Sequence, residues 1–161
     1  MIIRINRYNL IEAIKNNDTN QINFILKNGK SNINVKDKDG WSGLIWASCK
    51  GYLEIVKLLI DNGADINAKD NEGWNALIEA SYEGHLGVVK YLVENVANIN
   101  DKDNDGWTAL MRASWRGYSE ILQYLIEIGA DINIKNYKGE TALDLADNEE
   151  IKEVLRKAGG K

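Results

Sequence analysis

Apolar residues recur along the chain at the spacing of short amphipathic helices. The segment after Gly51 has one apolar stripe at helical spacing, formed by Leu53, Val56, Leu59 and Ile60. A shorter segment before Gly51 carries Leu44 and Ala47 on a helix of its own. The pattern therefore predicts two helices separated by a break at this glycine.

The same order of residues returns with a period of 33 residues. Blocks that need no gap open at Asp37, Asp70 and Asp103, and a less regular block flanks them on each side. The first of these has one extra residue near Lys30-Ser31, and the last is about three residues short between its helical stretches. Irregular end repeats are expected where a stack must present a polar face to water. We predict one domain over 1–161, with repeats at 4–36, 37–69, 70–102, 103–135 and 136–161.

Each full block begins with a polar turn and carries capping residues at its helix ends. Gly40 supplies the positive φ that such a turn requires. Ser42 and Thr108 have hydroxyl groups that can accept a hydrogen bond from the first free amides of a helix. Asn62-Gly63 is a typical end for the second helix, because glycine readily adopts the left-handed conformation.

These motifs resemble those of the ankyrin repeat family over nearly the whole chain, from about residue 9 to residue 159. The matching segments are Gly-Trp-x-Ala/Gly-Leu at 40–44, 73–77 and 106–110, Gly-His-Leu at 84–86, and Gly-Ala-Asp-Ile-Asn at 63–67 and 129–133. The resemblance implies an all-α solenoid of stacked helix–turn–helix units whose turns project sideways. It also implies that the turns and the first helices form a concave recognition surface.

Two positions depart from the family pattern. The family's Thr-Pro-Leu-His segment appears here as Ser-Gly-Leu-Ile at 42–45, so the histidine that braces neighbouring turns is absent and other residues must replace it. Val96 occupies a position where the other full blocks have a capping glycine. Because a β-branched residue is strained at positive φ, we expect Asn95 to adopt that conformation instead, or the helix end to be remodelled.

Composition and charge exclude several classes of function. The net charge of −4 argues against a general binder of nucleic acid, which needs a dominant basic surface. Residues 1–6 lack the apolar run of a signal peptide, and no apolar stretch is long enough to cross a bilayer. The single cysteine, Cys49, allows no internal disulfide, which fits a reducing compartment. We therefore expect a cytoplasmic protein without nucleic-acid or membrane partners.

The sequence offers little support for catalysis or metal binding. Residues 101–106 match the first half of an EF-hand loop, but Arg112 is found where the bidentate glutamate should be. His85, the single histidine, belongs to a repeat motif, and Cys49 has no histidine in its own block to activate it. We predict no catalytic residues, no metal site and no cofactor. The charged turn tips are interpreted as a solvated edge, with a role as a selective rim as the alternative.

Large side chains at positions where the blocks differ are candidates for partner binding. The resemblance places them on the turns and first helices, and Trp, Tyr and Arg dominate the energy of many interfaces. Those that do not recur should have no packing duty, and the stretch around Arg112 and Trp115 is the richest. For the recurrent Trp41, Trp74 and Trp107, mutual stacking is an equally open interpretation. The predicted partner-binding residues are Trp41, Trp46, Lys50, Trp74, Glu79, Tyr82, Glu83, Trp107, Arg112, Trp115 and Arg116.

The sequence thus predicts a monomeric module that holds a partner protein across its turns and first helices. Two other classes stay open. One is a structural element that stacks on copies of itself or belongs to a larger polypeptide. The other is an enzyme or metal-dependent switch that uses His85, Cys49 or the loop at Asp101. An engineered scaffold is a further alternative, although designs usually idealise positions such as Val96.

Overall fold

The computed structural model of the protein describes residues 9–29 and 31–161. These residues contain nine α-helices and no β-strand, apart from one isolated bridge between Lys36 and Ser42. The helices are α1 Leu10–Lys15, α2 Thr19–Lys27, α3 Gly43–Lys50, α4 Leu53–Asp61, α5 Ala76–Glu83, α6 Leu86–Glu94, α7 Ala109–Arg116, α8 Ser119–Glu127 and α9 Glu149–Lys157. None of them is both long and apolar enough to span a membrane. Residues 1–6, the predicted repeat start at residue 4 and Lys30 of the predicted insertion lie outside the described residues.

The helices form pairs that repeat along the chain, with α3–α4, α5–α6 and α7–α8 in the three full blocks. In the last block a short turn at 142–145 replaces the first helix, and α9 follows it. The first helices of neighbouring pairs contact one another much more extensively than the second helices do. The stack is therefore packed more closely on its first-helix side. The predicted all-α solenoid is confirmed, and we call the surface formed by the turns and by α3, α5 and α7 the turn face.

The core is one continuous hydrophobic cluster that extends from Leu10 to Leu155. Equivalent leucines of the three full blocks are all buried: Leu44, Leu77 and Leu110 on the first helices, and Leu59, Leu92 and Leu125 on the second. Each such side chain contributes about 2 kcal/mol when it is removed from water. A single helix pair could not bury its apolar stripe alone, so the stability of each block depends on its neighbours.

The predicted helix caps are present. Ser42 and Thr108 each accept a hydrogen bond, 3.3 Å long, from a backbone amide in the first turn of the helix that follows. Gly40 has a φ of +82°, and a Cβ atom there would lie 2.5 Å from Oδ1 of Asn71. Glycine is thus required at this turn both by the backbone conformation and by the close approach of the next turn.

Asparagines brace the neighbouring turns in place of the missing histidine. Asn71 donates its backbone N–H to the carbonyl of Asp39 and its side-chain Nδ2 to the carbonyl of Lys38, both at 3.2 Å. Asn104 makes the equivalent two bonds to the turn before it, at 3.0 and 3.1 Å. These bonds fix the distance between successive turns.

A lysine ladder adds a second connection between the blocks. Nζ of Lys36 donates to the carbonyl of Lys69 at 2.6 Å, Lys69 donates to Lys102 at 2.8 Å, and Lys102 donates to Lys135 at 3.1 Å. His85 bridges two blocks as well, with Nε2 located 2.8 Å from the carbonyl oxygen of Cys49 at the end of α3. The single histidine is therefore engaged by the backbone of the preceding block.

The expectation for Val96 is wrong. Val96 itself adopts the left-handed conformation with a φ of +63°, whereas Asn95 stays at −100°. The amide of Ala97 donates to the carbonyl of Leu92 at 3.0 Å, and the same bond closes the corresponding helix in the other full blocks. The regular stacking of the blocks imposes this helix end, and the valine accepts the backbone strain with its side chain 83% exposed.

Replacing Val96 by glycine should raise the free energy of unfolding by about 1 kcal/mol, because it removes this strain and almost no buried contact. The reciprocal change Gly129→Val is the matched control. Gly129 has a φ of +92° with no atom within 4 Å of the Cβ that would be added, so the variant should lose a similar amount through backbone strain alone. Urea unfolding measures both, and a Val96→Gly protein less stable than the wild type would contradict the prediction.

Candidate partner-binding site

An aspartate organises each turn of the turn face. Oδ1 of Asp70 accepts hydrogen bonds from the backbone amides of Glu72 at 2.9 Å and Trp74 at 2.8 Å. Asp37 and Asp103 form the same pair of bonds in their own blocks. Each aspartate thus uses one oxygen to hold its turn and to position the tryptophan that follows.

The second oxygen of the aspartate faces a side chain nine residues further on, in the first helix. In the first full block, Nε1 of Trp46 donates to Oδ2 of Asp37 at 2.8 Å. In the third, the guanidinium of Arg112 donates to Oδ2 of Asp103 and forms an ion pair with it. Both blocks therefore supply a donor to this oxygen, which belongs to a buried residue in Asp103 and to a half-buried one in Asp37.

Among the residues that the structure describes, none supplies such a donor to Asp70 in the middle block. Glu79 occupies the position equivalent to Trp46 and Arg112, which places one carboxylate beside that of Asp70. Glu79 is only 4% exposed, and among the described residues it has no hydrogen-bond or ion-pair partner for its carboxylate. Burial, together with the negative charges of Asp70 and Glu83, raises the pKa of Glu79 to about 8.

Arg112 fills the space between two tryptophans. Its guanidinium carbon lies 4.1 Å from the ring centroid of Trp74 and 4.2 Å from that of Trp107, while the same group pairs with the buried Asp103. A cation between two aromatic faces is attracted by both. The two tryptophans are thus linked through Arg112 rather than by direct stacking. Arg112 and Trp46 do have packing roles, contrary to the expectation for residues that do not recur.

The corresponding space between Trp41 and Trp74 is open. It forms a cavity of about 500 Å³ whose aromatic walls come from Trp41, Trp46, Trp74 and Tyr82. Five carboxylates line the cavity, and no lysine, arginine or histidine of the described residues does so. The carboxylates belong to Asp39, Asp70, Glu72, Glu79 and Glu83. We call this space the acidic cavity.

Cys49 lies in the wall of the acidic cavity. Its sulfur and the carboxylate oxygens of Glu79 and Glu83 lie within 4.8 Å of one another, a spacing at which such groups could hold a metal ion. Burial, and then the charges of these two glutamates, raises the pKa of the Cys49 thiol to about 11. The thiol is therefore protonated at neutral pH, which makes it a poor nucleophile and a poor metal ligand.

An aromatic cluster lies beside the acidic cavity. Trp115 stacks on Tyr82 and packs edge-on against Trp107, with the ring centroids 6.0 Å apart in both pairs. The guanidinium of Arg116 lies 4.5 Å from the ring centroid of Tyr82 and donates to the hydroxyl of Tyr118 at 3.0 Å. Trp115 remains 46% exposed and presents a large apolar surface to solvent.

The structure brings most of the predicted partner-binding residues together on the turn face. Six of them line the acidic cavity: Trp41, Trp46, Trp74, Glu79, Tyr82 and Glu83. Four others form contacts next to it: Trp107, Arg112, Trp115 and Arg116. Lys50 is exposed at the end of α3 and does not line the cavity.

The sequence predicts only Glu79 and Glu83 of the five acidic residues that line this cavity. Asp39, Asp70 and Glu72 were interpreted as part of a solvated edge, yet all three line the space between the tryptophans. A signal was present in the residue nine positions after each turn aspartate. This residue is a hydrogen-bond donor in two blocks, whereas in the middle block it is Glu79, so two acids, Asp70 and Glu79, occupy the positions of an acid and a donor.

The acidic loop at 101–106 is used within the fold. Asp103 accepts two backbone amides with one oxygen and pairs with Arg112 through the other. Asp101 lies 3.3 Å from Nζ of Lys69. The carboxylates that resemble a calcium loop thus hold the turn and contact the neighbouring block.

Comparison with known proteins identifies the class of this chain. A family model described as Ankyrin repeats (3 copies) matches residues 10–103, 72–136 and 97–159. The chain belongs to the ankyrin repeat family, whose members typically bind other proteins and are typically not enzymes. Over 48 residues it is also 48% identical to the acyl-CoA-binding domain-containing protein 6 homolog of Dictyostelium discoideum. This match covers 30% of the chain and only 17% of that protein.

Replacing Glu79 by glutamine should stabilise the protein increasingly as the pH rises. The pKa of Glu79 is about 8 in the folded state against 4.5 for the free group, so the native protein keeps a proton that the unfolded chain releases. Wild-type stability must therefore fall as the pH rises through this range. The charges that face Glu79 are those of Asp70 and Glu72 in the turn, Glu83 on α5 and Arg112 on α7. We expect similar melting temperatures for both proteins at pH 5 and a higher one for the variant at pH 8.5.

The control for this change is Glu127→Gln, which alters an exposed carboxylate on α8. Its effect on the melting temperature should not grow with pH. If the effect of Glu79→Gln is equally independent of pH, Glu79 does not carry the displaced pKa.

Replacing Arg112 by methionine should lower the free energy of unfolding by about 3 kcal/mol, because it leaves the carboxylate of Asp103 buried without its cation. The matched control is Arg116→Met, which removes a cation from an aromatic ring but uncovers no buried charge. This second variant should lose less than about 1 kcal/mol. Urea unfolding of the two proteins compares them directly, and losses of equal size would show that the pair with Asp103 is unimportant.

Proposed function

We propose that the chain is a protein-recognition module that binds a partner protein across the turn face as a monomer, without catalysis and without a cofactor. The observation that carries this proposal is the exposed Trp115, which lies in an aromatic cluster directly beside the acidic cavity. An exposed apolar cluster with charged residues beside it is typical of a protein–protein interface.

The chemistry of the reactive side chains supports a binding role rather than a catalytic one. His85 is held against the carbonyl of Cys49, and the raised pKa of the Cys49 thiol keeps that group protonated at neutral pH. Neither group is therefore prepared for nucleophilic or general base catalysis.

Self-association is the second candidate, because the surface of Trp115 could bind another copy of the chain. Sedimentation velocity at several protein concentrations separates the two cases. We expect one species with the mass of a single chain, whereas a mass that rises with concentration and falls in Trp115→Ala would favour self-association.

Partner binding can be tested by quantitative affinity capture from an extract of the source cells. Trp115→Ala should lose at least about nine-tenths of the captured partner, since truncating a central aromatic anchor costs roughly 2 kcal/mol. The matched control is Phe24→Ala, which removes an aromatic ring of similar exposure, 57%, from the second helix of the first pair. This variant should capture the partner as the wild type does. Equal capture by all three proteins would contradict the assignment of the turn face.

A further inference from the structure

We propose that the acidic cavity binds the side chain of an arginine residue of the partner protein. Its guanidinium group would lie between Trp41 and Trp74 and pair with the carboxylates of Asp70 and Glu79. The inference rests on the proposed function, since it assigns one contact of the recognition surface.

The protein contains its own example of this arrangement one repeat further on. There the guanidinium of Arg112 lies about equally far from Trp74 and Trp107, at 4.1 and 4.2 Å from their ring centroids, and pairs with Asp103. Trp41, Trp74 and Asp70 are the residues 33 positions earlier than Trp74, Trp107 and Asp103. Because Glu79 replaces Arg112 at this position, the earlier site has the same kind of walls and the same acid but lacks the cation.

The acidic residues of the cavity would be stabilised by a cation that also donates hydrogen bonds. Glu79 is nine-tenths buried or more, and no described residue donates to its carboxylate or to Oδ2 of Asp70. Asp70 is half-buried, and its negative charge acts unfavourably on the buried carboxyl group of Glu79, so a cation held between the two acids would be stabilised by both. A guanidinium presents five N–H donors in one plane, so it can pair with two carboxylates while both of its faces remain against aromatic rings.

The properties of the cavity favour arginine over other cations. A flat cation fits between two indole rings and donates at its edge, whereas the ammonium of lysine is a compact, strongly hydrated point charge. A metal ion would have to displace the proton of the Cys49 thiol, whose pKa is raised to about 11. Tyr82 belongs both to the cavity wall and to the aromatic cluster at Trp115, so a partner seated on that cluster could place its side chain in the cavity.

The test uses nitrogen-15-labelled protein and the peptide acetyl-Gly-Gly-Arg-Gly-Gly-amide, with the five tryptophan indole N–H signals as the readout. The signals of Trp41, Trp46 and Trp74 should shift in a saturable manner. Otherwise identical peptides with citrulline, lysine or trimethyllysine in place of arginine provide the comparison. Binding of the citrulline peptide should be at least about tenfold weaker, because citrulline has a similar shape without the charge.

Two variants locate the site. Glu79→Arg should supply the cation from within the chain, as Arg112 does, so that peptide affinity falls more than about tenfold while the melting temperature rises. Glu127→Arg makes the same change of charge on the second helix α8 and should leave peptide affinity unchanged. If Glu79→Arg does not fold, Glu79→Gln keeps the size of the side chain and should weaken binding about fivefold.

The pH dependence supplies an independent measurement. A bound cation favours the ionised form of Glu79, so affinity for the arginine peptide should rise several-fold between pH 6 and pH 9 in the wild type. The titratable groups that face Glu79 here are Asp70, Glu72, Glu83, Arg112 and the thiol of Cys49, and the rise should be largely absent in Glu79→Gln. An affinity that falls with increasing pH would overturn the assignment of Glu79.

Several other results would overturn the proposal. They are equal binding of the arginine and citrulline peptides, tighter binding of the lysine or trimethyllysine peptide, and the same loss of affinity in Glu127→Arg as in Glu79→Arg. Tight binding of Zn²⁺ that disappears in Cys49→Ser, together with no arginine binding, would identify a metal site instead.

Failure of this proposal can be told apart from failure of the proposed function. Partner capture that still depends on Trp115 while no arginine peptide binds would reject the arginine site alone. Loss of peptide binding in Glu79→Arg without any Trp115-dependent partner would support the cavity and reject the wider recognition surface.

Discussion

The architecture of the turn face depends on the aspartate that opens each turn, because a carboxylate has two oxygens and the turn amides use only one of them. In two of the three full blocks the remaining oxygen accepts a hydrogen bond from the first helix, where the side chain nine residues later provides the donor. Trp46 provides it for Asp37, and Arg112 provides it for Asp103. For Asp70 the chain offers Glu79, so two acids lie together where the solenoid also leaves a cavity.

Residues that recur in successive blocks build the fold, whereas residues that differ between blocks give each part of the turn face its own chemistry. The buried leucines return in each full block, while the asparagine braces of the second and third full blocks and the lysine ladder fix how far apart successive turns lie. With the backbone held in this way, a single position can carry an indole, a carboxylate or a guanidinium without any change of fold. The energetic consequences of such a change are then confined to two neighbouring blocks.

Much of the fold could be predicted from the sequence, because helical periodicity and cap chemistry act locally. Ser42, Gly40 and the 33-residue period fix the helices and the solenoid without knowledge of distant contacts. The prediction for Val96 was wrong because stacking between blocks outweighs the local preference of one side chain. In the last block, a turn at 142–145 takes the place of the first helical stretch.

The site was predictable only in part. The tryptophans and Glu79 were singled out because they are large or vary between blocks, but the enclosure of Arg112 between two rings joins adjacent blocks and cannot be seen within one of them.

The lysine ladder also has a direction, since each ammonium group reaches the main chain of the following block. It needs nothing from that block except a carbonyl group. Duplication of one 33-residue unit would therefore create both a new junction and a new inter-tryptophan space, whose ligand preference evolution could then adjust by exchanging one side chain.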